Sequence, residues 1–192
     1  MARTPKLIPD NMLKEEFNYI TQTAFQANED RSRVTSFYLV TVGSFVAAIL
    51  GTGFDTGQSA ISIAFCILFA MLTFMGALTI AQLARLRAAW HESAEAMNQL
   101  KEFYIKHHPE IEPAFKWRTT VIPPTNKPYS IANLIAMEVS MLSALTTGAG
   151  MYFLLSFLSA PNWVTWLIVI ISTGLGYLAQ WSWYLHLLVD DR

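Results

Sequence analysis

Four long apolar stretches divide this chain, and none of its thirteen Lys and Arg residues falls inside them. The stretches cover residues 34–51, 60–82, 131–155 and 163–187. At about 1.5 Å per residue, ~18–25 apolar residues match a hydrocarbon core roughly 30 Å thick. In lipid the backbone must satisfy its own hydrogen bonds, so each stretch is expected to be a helix. The connections 52–59 and 156–162 also lack Lys and Arg, so every basic residue precedes the first stretch, separates the second from the third, or follows the fourth. Basic loops stay cytoplasmic, which predicts both termini and a large central loop inside. The expected fold class is an all-α integral membrane protein whose four transmembrane helices form two hairpins, in a plasma or bacterial inner membrane.

Composition agrees with that expectation. The chain is 53% hydrophobic and 14% charged, with a mean hydropathy of +0.34. A soluble domain carries about 25% charged residues. The net charge is −1, with acids interleaved among the bases, which excludes a nucleic-acid footprint. The first 33 residues are polar and include Lys6, Lys14, Glu15 and Glu16, so no cleavable signal peptide is expected. The single Cys66 sits inside the second stretch, so no intrachain disulfide is expected.

The first and second spans are expected to continue as helices beyond the bilayer. After a short leader ending near Pro9, Asp10 or Asn11 can cap a helix whose positive end suits Glu15 and Glu16. Leu13, Phe17, Ile20, Ala24 and Ala27 then follow coiled-coil-like spacing, and neither Gly nor Pro interrupts the run into the first span. On the other side, Leu83, Leu86, Trp90, Ser93, Met97, Leu100 and Tyr104 repeat the spacing, with no breaker before Pro109. An apolar seam needs a partner, and the simplest one is the other arm. This predicts a cytoplasmic helical hairpin ~35 Å tall. Pro109, Pro113, Pro123, Pro124 and Pro128 predict a largely extended return to the membrane, with Phe115, Trp117 and Tyr129 suited to the interface. The expected organisation is a leader and amphipathic helix at 1–33, a first transmembrane hairpin at 34–82, a helical arm and proline-rich loop at 83–130, and a second hairpin with a short C-terminus at 131–192. A weak repeat relates 76–82 to 174–180 and is read as chance similarity in a restricted composition.

Glu138 is the only charged side chain inside an expected span. An intramembrane carboxyl is costly and marks a functional or assembly position. Gln82, Gln180, Thr79 and Tyr177 lie at similar depth, so a polar cluster around Glu138 is expected. Ala132, Ala136, Ser140, Ala144 and Gly148 form a stripe of small residues on the third span, and Gly43, Ala47 and Gly51 form one on the first. Such stripes let another helix approach closely. Leu13, Phe17, Ile20, Trp90, Met97, Leu100, Tyr104 and Trp117 are the candidate cytoplasmic interaction residues.

Other chemistry lacks its motifs. His91 with Glu95, and His107 with His108, are read as ordinary neighbours on a solvated arm; there is no HExxH and no CxxC. No phosphate-binding loop and no nucleophile elbow occur. Neither a cofactor nor a metal is expected. The expected function is non-enzymatic: a scaffold, subunit or sensor-like module acting through its cytoplasmic arms, as a homo-oligomer or part of a membrane complex in the lipid bilayer, with a cytoplasmic protein partner and no nucleic acid. The alternative is an oligomeric ion or proton channel, or a small transporter, that uses Glu138.

Overall fold

The computed structural model describes residues 9–52, 58–159 and 161–189. The leader before Pro9, most of the turn between the first two spans with its Asp55, and the last three residues lie outside the described residues. Four helices account for most of the rest: α1 at Pro9–Thr52, α2 at Ser59–His107, α3 at Ile131–Leu158 and α4 at Trp163–Val189. No strand occurs among the described residues. Each of the four helices is long and apolar enough to cross a membrane.

Local chemistry accounts for the helix limits. α1 runs unbroken because no Pro follows Pro9 and its first Gly is Gly43. α2 stops where Pro109 follows two residues later, and Lys106 and His107 sit in its last turn, at the negative end of the helix dipole. The Nδ1–H of His107 donates to the Phe103 carbonyl at 2.9 Å, which occupies one of the last free acceptors. α3 starts at Ser130, whose side chain accepts the Asn133 N–H at 3.3 Å. Tyr129, just before it, has φ 58°, a left-handed conformation that turns the chain into the cap. α4 starts with a reciprocal pair. Asn162 Oδ1 accepts the N–H groups of Val164 and Thr165 at 2.9 and 3.1 Å, while Thr165 Oγ1 accepts the Asn162 N–H at 3.1 Å.

The chain forms two compact units. One consists of the segment up to Asp30 together with Leu86–Thr125; the other consists of Arg31–Arg85 and Asn126–Arg192. In the first, polar unit, the return loop is more structured than its five prolines suggested. Residues Pro109–Ala114 and Thr119–Val121 form 3-10 helices. A Pro in a first turn needs no N–H partner, so Pro109 opens such a turn without cost.

Arg118 ties the return loop to α2. Its Nε and Nη2 donate to the two carboxylate oxygens of Glu102 at 2.6 and 2.7 Å, and Nη1 donates to Glu112 at 2.9 Å. These bonds hold the Glu102 carboxyl below its ordinary value of 4.5 and raise the Arg118 guanidinium above its own. A carboxyl lowered on folding stabilises above its unfolded value and stops doing so as pH falls through the lowered one. The loop is therefore expected to stay docked at neutral pH and to loosen as pH drops below 4.5, read as faster amide exchange over Pro109–Ala114. Arg118→Lys should show the loosening already at neutral pH, because an ammonium cannot reproduce the two-pronged contact.

The second, apolar unit has one core. Tyr38 and Val42 of α1 meet Phe65, Phe69, Leu72, Ile80 and Leu83 of α2, Ala136 and Val139 of α3, and Tyr184 and Leu188 of α4. The rings of Phe65 and Phe153 lie 5.0 Å apart, and those of Phe69 and Phe153 stack at 5.7 Å. α3 packs along α4, with Gly148 against Thr173 and Gly176 against Thr147.

Candidate functional site

A layer of polar side chains lies within the apolar unit, and all four helices contribute to it. Its centre is Ser143, fully buried on α3. Ser143 Oγ accepts the Gln180 Nε2–H from α4 at 2.8 Å and donates to the Thr73 carbonyl of α2 at 3.3 Å. Thr146 and Thr147 both donate their hydroxyls to the Ser143 carbonyl, at 2.8 and 2.9 Å. With its own proton spent there, Thr146 Oγ1 accepts from Thr73 Oγ1 at 3.0 Å. Tyr38 of α1 is completely buried, and its hydroxyl lies beside Ser143 and Thr146. Among the described residues neither that hydroxyl nor Gln180 Oε1 completes a hydrogen bond.

Gly76 of α2 makes this layer possible. A Cβ there would collide with Ser143 Oγ, and would lie 2.5 Å from Ser143 Cβ and 2.6 Å from the Tyr38 hydroxyl. The chemistry of the layer is cohesive. Ser and Thr satisfy themselves on helix carbonyls and reach across to one another, each interhelical bond contributing about 0.6 kcal/mol in lipid. It contains no carboxylate, no imidazole and no thiol, so it offers neither a general base nor a strong metal ligand.

The residues singled out in the sequence part into inward and outward groups. Gln180 and Thr79 are buried, Tyr177 is half-buried and stacked 6.4 Å from Trp181, and Gln82 is exposed. Gln180 turns to Ser143, whereas Glu138 lies on the exposed side of α3 and makes no hydrogen bond among the described residues. Among the described residues no hydrogen bond joins Glu138 to Gln82 or Gln180. Ala132, Ala136, Ser140, Ala144 and Gly148 are all buried, so this small-residue face points into the bundle. Glu138 precedes Ser140 by two residues, about 200° around the helix, and so points away from it. Gly43, Ala47 and Gly51 are exposed, with nothing within 4 Å of a Cβ placed on either glycine.

In the polar unit Ile20 is buried and Leu13 half-buried, whereas Phe17 is exposed. Trp90, Met97, Leu100 and Tyr104 are half-buried. Trp117 is exposed and, with Trp90, Met97, Ile122 and Pro123, lines a groove of about 340 Å³. His91 Nδ1 stands 3.3 Å from Glu95. No group of three metal-ligating side chains occurs among the described residues.

Thr73, Gly76, Ser143 and Thr146 do not stand out in the sequence as constituents of a site, and neither Arg87 nor Arg118 announces a role there. Ser143, Thr146 and Thr147 at i, i+3 and i+4 are the one available sign of a shared helix face. These features define an all-helical chain with four helices fit to cross a membrane and a hydrogen-bonded layer between them. No protein-family model matches it, and no curated protein or solved structure does either.

Proposed function

We propose that the protein is a non-enzymatic subunit of an assembly within the membrane, joined to its neighbours through the outward face of α3, with the polar unit as its cytoplasmic docking surface. One observation carries this reading. Ile131, Leu134, Glu138, Met141 and Leu145 recur at helical spacing, and all five are exposed. Four are apolar, as a lipid-facing stripe would be; the fifth is a carboxyl, which lipid penalises by several kcal/mol. A helix of another subunit, most simply a second copy, removes that penalty by giving Glu138 a hydrogen-bond partner. Both termini and the polar unit lie on the cytoplasmic side in this reading, because all thirteen Lys and Arg residues flank the spans there. The arms pair there as the coiled-coil-like hairpin, which presents Trp117 and its groove to a protein partner.

The test is native mass spectrometry of the full chain in mild detergent. The protein is expected as a defined oligomer or with a stoichiometric second subunit, and Glu138→Leu is expected to weaken the association about fivefold or more. A monomer with no co-purifying subunit, or an assembly that Glu138→Leu leaves unchanged, sinks the proposal. The channel or transporter reading rests on the same carboxyl and needs a separate result: ion flux in reconstituted vesicles that Glu138→Gln abolishes.

A further inference from the structure

A second outward feature of the apolar unit has a graded polarity. Arg33, Val34 and Phe37 of α1 and Met75, Leu78, Thr79 and Gln82 of α2 line a groove of about 420 Å³. Arg33 and Gln82 mark its polar end, where the charged run of α1 gives way to apolar sequence. Phe37, Met75 and Leu78 mark the apolar end. Along α2, seven residues separate Gln82 from Met75, about 10 Å; along α1, four residues separate Arg33 from Phe37, about 6 Å. The groove therefore passes from a guanidinium and an amide to an aromatic ring, a thioether and an isobutyl group over the distance that separates a lipid phosphate from its upper acyl chain. Phe37 and Leu78 are 66% and 46% exposed, so their apolar surface is open to an occupant.

We propose that this groove binds one anionic glycerophospholipid, its phosphate on Arg33 and Gln82 and one acyl chain along Phe37, Met75 and Leu78. The inference rests on the helices crossing a bilayer, and not on the α3 interface. A guanidinium can hold a phosphate with two parallel N–H bonds, and the phosphate would share Arg33 with the contact it already makes within the protein or displace that contact. Charge complementarity selects an anionic headgroup over a zwitterionic one, and the apolar end selects a lipid over a free phosphate.

The experiment titrates the full chain in mild detergent with phosphatidylglycerol and, separately, phosphatidylcholine, and counts bound lipids by native mass spectrometry. One phosphatidylglycerol is expected to be retained in preference to phosphatidylcholine. Arg33→Gln should reduce that preference about fivefold, the effect of one basic residue at an anionic surface. Lys106→Gln, an exposed charge elsewhere, should leave it intact. Met75→Trp, which fills the apolar end, should lower retention of both lipids. Equal retention of the two lipids by the unaltered chain overturns the proposal, as does an undiminished preference in Arg33→Gln or displacement by soluble glycerol phosphate. A monomer that still retains the lipid removes the assembly reading and leaves this one standing.

Discussion

Gly76→Ala is expected to destabilise the apolar unit by about 1–3 kcal/mol, the range for forcing extra carbon into a packed interior. The sign is what makes the prediction informative. In an exposed helix the same change stabilises by about 1 kcal/mol, because alanine loses less backbone entropy than glycine. At Gly76 the new methyl would have to share space with the Ser143 side chain and the Tyr38 hydroxyl, 2.5 Å from Ser143 Cβ and 2.6 Å from the Tyr38 oxygen. Neither neighbour can yield cheaply. Ser143 holds Gln180 and the Thr73 carbonyl, and Tyr38 is fully buried. The natural control is Gly174, which lies on an exposed face of α4 and where a new methyl would have nothing within 4 Å. Thermal unfolding in detergent should show Gly76→Ala with a lower midpoint, and Gly174→Ala unchanged or raised. Equal midpoints for the two variants would mean that the polar layer is not closely packed.

That contrast marks where the sequence is legible and where it is not. Gly76 and Gly174 occupy matching places in the weak repeat, as do Gln82 and Gln180. Their surroundings differ completely. Gly76 is packed and Gly174 is open, while Gln180 is buried on Ser143 and Gln82 is exposed. Local sequence carries the length and apolarity of a span, so the four helices are legible. It also carries interruptions, so the continuity of α1 and α2 past the apolar runs can be read from the absence of Gly and Pro. Which residues of different helices meet depends on how each helix is rotated, and no short-range pattern encodes that. The two faces of α3 are separable, since Glu138 and Ser140 stand about 200° apart. Which hydroxyls the face of Ser140 joins is not. The return loop departs from expectation for another reason. Five prolines suggest an extended chain, but Pro109 sits where a first turn needs no N–H, and Arg118 supplies a long-range tie to Glu102 that the intervening sequence does not announce.

Arg87→Ala is expected to release the end of the return loop and to destabilise the polar unit by about 1.5–3 kcal/mol, the range for a charged hydrogen bond whose partner is left behind. Arg87 is only 7% exposed, unusual for a guanidinium, and two of its contacts are with the loop backbone and an aromatic ring. Its Nε donates to the Thr125 carbonyl at 3.1 Å, and its guanidinium carbon lies 4.9 Å from the centroid of the Trp90 ring, one turn further along α2. The cation thus lies over an indole ring and donates an N–H to the loop backbone. Alanine would remove both contacts and leave a carbonyl unpaired. Lysine would restore the charge over Trp90 but not the fixed direction of the Nε–H, so Arg87→Lys should recover only part of the loss. Hydrogen exchange separates these outcomes. In Arg87→Ala the amides of Thr119–Val121 should exchange faster than in the parent, while amides buried in the apolar unit, such as that of Ser143, keep their rates. Uniform acceleration across both units would show that Arg87 supports the whole chain rather than the loop.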